Sequence, residues 1–420
     1  MKLLGKRVRV NKKVGKIIGE ARRDLAREHR LAAIQALIPI GLEAVAAALQ
    51  HEIAEIAGKR YSRGGDIKRW GSNPGSVFLG DQKVNIQVPR ARDMSANEEV
   101  VLATYGRLQN AQQLDDMALS RVIYGMSQRN YEKAAIHVPE TFGIRKTSIC
   151  RRFIRATAKK LQEFMERDLS KHEIVAIFMD GKNFTENEIV IALGVCMGGE
   201  KVLLGMVETS TENHLVCKNF LLGLKDRGLN LDREILFIVD GGKGLNKGIR
   251  EVMGERTLIQ RCQWHKRENV VSHLDKSCQE SFRGKLQAAY NLPTYERAKE
   301  RLGSIGRELK LLNKSALASL EEGIEETLTL HWLGLFGKLG ESLKTTNCIE
   351  NVNKQLAVHT DRVDRWHNSD HRQRWVATVL LLIEPRLKKI KGHKHLGELR
   401  EAMKNHFETK VENIKMKKVA

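Results

Sequence analysis

The chain has 420 residues, with 72 Lys and Arg against 51 Asp and Glu, so its formal net charge at pH 7 is +21. A hydrophobic content of 41% beside 29% charged residues is typical of a globular protein and excludes a disordered chain. The length allows two or three domains, and the positive charge predicts a polyanionic partner such as DNA, RNA or an anionic membrane surface.

We expect a cytoplasmic protein without a membrane anchor. Met1–Lys13 is basic and lacks the apolar core of a signal peptide. Leu31–Leu49 is apolar and long enough for a span, but three residues argue for a soluble pair of helices: Gln35, Pro39 and Glu43. The six cysteines are scattered and form no Cys-x-x-Cys pair, which fits a reducing compartment and argues against structural zinc.

The N-terminal part of the chain carries the patterns that favour DNA binding. Residues 1–96 read as a basic arm, helices and a small β module, and residues 97–170 as a helical region. Helical segments 131–142 and 146–166 flank a Phe-Gly-Ile turn, which is typical of a helix-turn-helix. In the second segment Ile149, Phe153 and Ile154 form the predicted inner stripe. The predicted DNA contacts here are Arg145, Lys146, Arg151, Arg152 and Arg155; the alternative is a solvated basic face.

Residues 171–261 alternate between apolar runs and helical periodicity. The predicted order is β-β-β-α-β-α-β, which is the arrangement of a ribonuclease H-like fold and makes the chain an α/β protein. The first run, 173–179, ends at Asp180, and the fourth, 235–239, ends at Asp240. In this order the first and fourth strands are parallel neighbours, so we expect both carboxylates at the same sheet edge. The alternative for Asp240 is an Asp-Gly turn that only separates strand and helix.

A third carboxylate follows a long interruption of the sheet. Residues 262–340 read as an all-α insertion, residues 341–395 as the second part of the core, and residues 396–420 as a basic tail. Glu350 lies at the start of the helix that returns to the sheet. The alternative is a helix-capping box formed by Asn347 and Glu350. Three hard oxygen ligands at a sheet edge suit Mg²⁺, for which Mn²⁺ can substitute, and phosphodiester chemistry.

Four motifs together resemble bacterial transposases of the IS256/Mutator group: Phe178-Met-Asp180-Gly, Ile238-Val-Asp240-Gly-Gly-Lys-Gly-Leu, Gln260-Arg-Cys262-Gln-Trp264-His265-Lys266, and Thr345-Thr-Asn-Cys-Ile-Glu350-Asn. The resemblance implies a DDE recombinase in which Asp180, Asp240 and Glu350 are the catalytic metal ligands. It places Cys262 and His265 just after the fifth strand, where they support the active site or contact DNA; the alternative is a packing role. Asn351 departs from the Ser or Arg that often follows the glutamate.

Three further residues near these motifs are predicted DNA contacts: Lys243, Trp264 and Lys266. Trp264 would stack against a displaced base near the cleavage point, and its alternative is a buried core tryptophan. The resemblance implies a transposase that binds double-stranded DNA at the terminal inverted repeats, cleaves there, and joins the 3′-hydroxyl to target DNA by Mg²⁺-dependent transesterification. We expect a homodimer or higher oligomer on DNA, located in the nucleoid when bound. The alternatives are a non-catalytic DNA-binding regulator and a ribonuclease H-like nuclease.

Overall fold

The computed structural model describes residues 41–62, 64–79, 82–109, 119–125, 141–142, 146–184, 187–210 and 213–419. Most of the basic N-terminal region, the first helix of the predicted helix-turn-helix up to residue 140, and Arg145 lie outside these ranges. The chain divides into two compact units, Met1–Ala156 and Thr157–Ala420. In the described ranges no helix combines the length and apolar character needed to cross a membrane.

The first unit contains a four-stranded antiparallel sheet in which β2 is central. The strands are β1 (Ile67–Leu79), β2 (Gln82–Asp93), β3 (Glu98–Val100) and β4 (Thr141–Phe142). The β1–β2 hairpin is the β module that the sequence predicts. Thr141 and Phe142 were expected to end a helix, and that expectation is wrong because they pair with Val84 and Lys83 of β2. The helices with described residues here are α1 (41–57), α2 (Ala103–Leu108), α3 (119–123) and the start of α4 (Lys146–Glu166).

The predicted faces of α4 need two corrections. Ile149 and Phe153 are buried as expected, but Ile154 is 45% exposed and Arg152 only 8% exposed. Buried positions of a helix recur at i, i+3, i+4 and i+7, and Ile149, Arg152, Phe153 and Ala156 follow that series. Ile154 is turned about 100° away from Phe153, toward solvent. Arg152 therefore belongs to the packed face.

The second unit contains a five-stranded mixed sheet in the order β7-β6-β5-β8-β9. The strands are β5 (Ile174–Phe184), β6 (Asn187–Cys196), β7 (Lys201–Thr209), β8 (Leu236–Val239) and β9 (Ile259–Arg261). β5, β6 and β7 pair antiparallel, whereas β8 pairs parallel with both β5 and β9. The first and fourth strands of this unit are thus parallel neighbours, in the order that the sequence predicts. The chain is a mixed α/β protein.

Two helices connect the parallel strands and pack against the sheet. They are α5 (His214–Asp226) and α6 (Lys243–Met253). Leu221 of α5 and Ile249 of α6 are fully buried in one core with Ile177 of β5 and Phe237 of β8. Because the central strands are covered by apolar side chains, residues 174–179 and 236–239 are buried throughout, which explains their continuous apolar sequence.

The segment from residue 262 to 343 folds as helices with a core of its own, including Leu286, Leu302 and Leu320. These helices are α7 (Gln263–Val271), α8 (Lys276–Tyr290), α9 (Tyr295–Leu312), α10 (Lys314–Glu321), α11 (Ile324–Thr327), α12 (Thr329–Trp332) and α13 (Phe336–Leu343). Gly323, whose φ is +65°, separates α10 from α11. Three helices complete the unit: α14 (Asn347–Thr360), α15 (Ser369–Ile383) and α16 (Leu396–Val419).

Candidate active site

Asp240 directly follows β8, whereas Asp180 lies within β5, so the prediction that the first strand ends at Asp180 is wrong: β5 continues to Phe184 in its pairing with β6. The β5–β8 ladder pairs Ala176 with Leu236, Ile177 with Phe237 and Phe178 with Ile238. Each aspartate follows two residues after the last of these pairs, so the two occupy equivalent positions along their strands. Open α/β sheets bind their ligands at this edge because the chain leaves the strands there and polar side chains can face solvent.

The third carboxylate, that of Glu350, belongs to α14, which packs against β5. Glu350 lies in the first turn of this helix, and its Oε1 accepts a hydrogen bond of 2.6 Å from the hydroxyl of Thr346. The capping box considered for Asn347 and Glu350 is not formed, because Thr346 occupies the N-cap position and makes no side-chain bond to the helix backbone. The carboxylate is therefore engaged by a side chain and not by the helix terminus.

Each of the three carboxylates is held on one oxygen by a donor of the protein. The backbone N–H of Gly242 donates to Asp240 Oδ1 at 3.0 Å. The amide Nδ2 of Asn353 donates to Asp180 Oδ2 at 2.9 Å, and Thr346 donates to Glu350 as described. Asn353 follows Glu350 by three residues on the same face of α14, so this helix supplies one carboxylate and orients another.

Asp240 and Glu350 lie close enough to Asp180 for their charges to act on its ionisation. Burial raises the pKa of Asp180 to about 6, and the negative charges of Asp240 and Glu350 add to the rise, while His265 opposes it. Burial and the charge of Asp240 also raise the pKa of Glu188, which lies on β6. A region in which several carboxylates repel each other favours binding of a cation, because a positive ion removes the repulsion.

Cys262 and His265 join the same region from the start of α7. The thiol Sγ of Cys262 and Nδ1 of His265 lie 3.4 Å and 3.2 Å from the hydroxyl oxygen of Thr346. The hydrogen bond with Cys262 raises the pKa of His265 to about 9 against the effect of burial, and the charges of Cys262, Asp240 and Glu350 add to the rise. Burial raises the pKa of Cys262, but hydrogen bonds with His265 and Thr346 outweigh it and lower the pKa overall.

The donor atoms present here can hold a metal ion in more than one way. Ligand atoms of Cys262, His265 and Glu350 lie within 4.8 Å of one another, and no other described residues form such a trio. Asp180 and Asp240 are not part of this trio. Carboxylates that bind a pair of ions need not lie this close, since the two ions themselves are about 3.5–4 Å apart. The oxygen set of Asp180, Asp240 and Glu350 fits Mg²⁺ or Mn²⁺, whereas sulfur and imidazole favour zinc.

Comparison with known proteins decides the family. The protein-family model described as "Transposase, Mutator family" matches residues 18–386 of this chain. The chain belongs to the Mutator family of transposases. It is 26% identical to the Staphylococcus aureus transposase for insertion sequence element IS256 in transposon Tn4001, over 71% of this chain and 76% of that protein. The Lactococcus lactis transposase for element IS905 is 24% identical, over 70% of this chain and 74% of its own length.

Two of the predicted DNA contacts of this transposase are accessible in its second unit. Lys243 is exposed at the first position of α6 and lines two cavities, of about 290 Å³ and about 480 Å³. Trp264 is 46% exposed and meets the ring of His265 edge-on, with ring centroids 4.8 Å apart. The alternative of a buried core tryptophan is therefore wrong. In the first unit Arg151 and Arg155 are exposed, whereas Lys146 is described only as the first residue of α4.

Lys266 is unsuited to a DNA contact because it is fully buried. Its ammonium donates to the backbone carbonyl of Glu322, to which Arg261 Nη1 also donates at 3.0 Å. Burial lowers the pKa of Lys266 to about 8, and the neighbouring Arg261 adds to that decrease. The prediction for Lys266 therefore needs correction: this lysine joins α7 to the end of α10.

Sequence reasoning missed three residues of the site of this transposase. Asn353 and Thr346 stand three residues after and four residues before Glu350, and this helical spacing could have indicated them. Glu188 lies on β6 beside the end of β5; a Cβ added to Gly181 would fall 1.8 Å from its Oε1. Its position depends on the antiparallel register of β5 and β6, which pairs Gly181 with Val190.

Proposed function

We propose that this Mutator-family transposase is a DDE recombinase with Asp180, Asp240 and Glu350 as its catalytic residues. The observation that carries the proposal is the convergence of these three side chains at one edge of the sheet, where burial and the other two charges raise the pKa of Asp180 to about 6. The strand order β7-β6-β5-β8-β9 supports a ribonuclease H-like core formed by residues 171–261 and 341–395. Residues 262–340 would be an all-α insertion in that core.

Asp180, Asp240 and Glu350 would hold Mg²⁺ or Mn²⁺. When bound, the ion would activate the attacking hydroxyl and would stabilise the leaving oxygen of an in-line displacement at phosphorus. Groups of the protein prepare this site: the side chains of Asn353 and Thr346 and the backbone N–H of Gly242 each fix one oxygen of a carboxylate. Fixed carboxylates reduce the reorganisation that accompanies the reaction.

DNA recognition would lie outside the carboxylate site. The net charge of +21 supports strong phosphate binding. We assign recognition of the terminal inverted repeats to residues 1–96 and 97–170, with Arg145, Lys146, Arg151 and Arg155 as contacts. Lys243 and Trp264 would contact DNA near the cleavage point, and the basic tail at 396–420 would add phosphate contacts. Arg152 and Lys266 are left out because both are buried.

The overall reaction would be cleavage at the element ends followed by transfer of the freed 3′-hydroxyl to a phosphodiester of target DNA. Two element ends have to be processed together, so we propose a homodimer or higher oligomer on DNA. The protein would act in the cytoplasm, on the DNA of the nucleoid.

A strand-joining assay separates this function from its two alternatives. The wild-type protein is incubated with Mg²⁺, a labelled duplex that ends in the element's terminal 3′-hydroxyl, and a supercoiled target plasmid. A labelled product covalently joined to the plasmid supports transesterification. Hydrolysis of the duplex without joining identifies a nuclease. Tight binding without any covalent change identifies a regulator.

A further inference from the structure

Thr346 connects the catalytic Glu350 to Cys262 and His265, two side chains that the proposed function leaves without a role. The group, here called the Thr346 cluster, consists of Thr346, Cys262, His265 and Glu350. Thr346 is fully buried, and its hydroxyl oxygen lies 2.6 Å from Glu350 Oε1, 3.2 Å from His265 Nδ1 and 3.4 Å from Cys262 Sγ. A buried hydroxyl with three polar partners forms a specific hydrogen-bonded arrangement.

The Thr346 hydroxyl has a single hydrogen, and this limits which hydrogen bonds the Thr346 cluster can form. A hydroxyl carries one hydrogen and two acceptor lone pairs. The shortest contact, to a carboxylate that can only accept when ionised, takes the hydrogen, so Thr346 donates to Glu350. Thr346 then accepts from Nδ1–H of His265. The result is a directed chain from the imidazole through the hydroxyl to the carboxylate.

We propose that Thr346 is a positioning residue that couples the Cys262–His265 pair to Glu350 and fixes the orientation of that carboxylate. The proposal rests on the role of Glu350 in the proposed function. The bond engages Oε1, and no described residue donates to Oε2. One oxygen is thus held in place while the other stays available to a cation. The sequence separation of 81 to 84 residues shows that the cluster ties the start of α7 to the start of α14.

A soft metal ion is the competing explanation for these residues. Cys262, His265 and Glu350 have the donor types and the proximity of a zinc site. The hydroxyl of Thr346, however, already contacts all three donors, so a metal between them would have to displace it or use it as a ligand. The observed contacts therefore favour a hydrogen-bonded cluster over a metal site.

The experiment uses full-length protein with Thr346→Val, which keeps the shape and removes the hydroxyl, and Thr346→Ser, which keeps the hydroxyl. Thr345→Val is the matched control, because Thr345 is 8% exposed in the same turn but lies outside the cluster. The first measurement is a double-mutant cycle of melting temperatures in EDTA, combining Thr346→Val with Glu350→Gln. We expect strong non-additivity, with Glu350→Gln having little further effect in the Thr346→Val background. Additive shifts would overturn the proposal.

The second measurement is Mn²⁺ affinity by calorimetry, without DNA. We expect Thr346→Val to weaken Mn²⁺ binding at least tenfold, Thr346→Ser to stay within threefold of wild type, and Thr345→Val to be unchanged. Wild-type affinity in a folded Thr346→Val protein would overturn the positioning role. Stoichiometric zinc in the purified protein that is lost in Cys262→Ser would overturn it in favour of a metal site. Failure of the wild type to bind Mn²⁺ would instead count against the proposed function, while the cycle in EDTA still decides whether the cluster is coupled.

Discussion

Asp180 of β5 and Asp240, which directly follows β8, each lie two residues beyond the paired residues Phe178 and Ile238. Local sequence alone does not bring these two aspartates next to each other. The apolar residues 174–179 and 236–239 that precede them are buried and fix the two backbones in parallel register. The acidic side chains then meet at the edge of the sheet, where burial and their mutual repulsion shift the ionisation of Asp180.

This relationship predicts a pH-dependent effect of Asp180→Asn in the absence of metal. The pKa of Asp180 in the folded protein is about 6, above its value of 3.8 in an unfolded chain. The stability that the carboxyl contributes is therefore fully present below about pH 4 and is lost as the pH rises through 6. We expect Asp180→Asn to unfold like wild type near pH 4 but to be more stable at pH 8, by at most about 3 kcal/mol.

Urea unfolding in EDTA between pH 4 and pH 8 measures this difference, with Asp226→Asn on the exposed end of α5 as the control. A stability difference that does not change with pH would contradict the account of Asp180. Addition of Mg²⁺ at pH 8 should stabilise the wild type and leave the Asp180→Asn protein nearly unaffected, because the ion relieves the repulsion that the variant lacks.

Replacing Arg151 and Arg155 by Ala should weaken DNA binding and reduce its dependence on salt. Both side chains are exposed on α4, and each phosphate contact that is lost lowers the slope of log K against log salt by about 0.9. We expect a slope smaller by roughly 2 for the double variant. The charge-matched control is Arg301→Ala with Arg307→Ala on α9, which removes the same charge from exposed positions. Equal slopes in the two double variants would remove α4 from the DNA surface.

Lys243 and Lys266 should respond differently to substitution although both were predicted DNA contacts. Lys243→Ala removes an exposed cation and should lower DNA affinity with a smaller salt slope. Lys266→Met removes a buried ammonium whose partner is the carbonyl of Glu322, so DNA affinity and slope should stay at wild-type values. Fluorescence anisotropy across a salt series tests both. A reduced slope for a folded Lys266→Met protein would contradict the buried position.

Gly241→Ala should destabilise the protein by about 1–3 kcal/mol. Gly241 has a φ of +104°, and a Cβ there would lie 2.0 Å from Nε of the buried Arg261. Gly284→Ala is the matched control, because Gly284 lies inside α8 with nothing within 4 Å of an added Cβ. In a helix that change should stabilise by up to about 1 kcal/mol. A Gly241→Ala protein with wild-type melting temperature would show that the loop after Asp240 can relax.

The sequence predicts the sheet well because its signals are local. Apolar runs that end at Asp180 and Asp240 indicate buried strands, and the order of strands and helices leaves few arrangements for the sheet. Glu350 could be predicted from its place at the start of the helix that returns to the sheet, but the residues alone also allowed a capping box, and the resemblance to a family supplied the catalytic role. Its hydroxyl partner follows from helical spacing, but the contacts of that hydroxyl with Cys262 and His265 span more than 80 residues and have no local signal.

The wrong predictions for Arg152, Lys266 and Ile154 also have physical causes. Arg152 and Lys266 were assigned to the surface because of their charge, yet the long apolar stems of such side chains allow burial where a partner is supplied. For Lys266 that partner is a carbonyl 56 residues away in sequence. Ile154 was assigned to the core because it is apolar, although the helical period of α4 turns it to solvent. Position in the fold, and not residue type, determines the exposure of these three side chains.

In the proposed function, Asp180, Asp240 and Glu350 hold the divalent ion with which this transposase cleaves DNA. The most direct measurement uses a labelled duplex that carries the end of the element, incubated with Mg²⁺ or EDTA and with wild type, Asp240→Asn or the exposed control Glu401→Gln on α16. We predict nicking at the element boundary by wild type and Glu401→Gln with Mg²⁺ only, and loss of at least a hundredfold in rate for Asp240→Asn with DNA binding retained. Cleavage by Asp240→Asn within a few-fold of wild type would contradict the account.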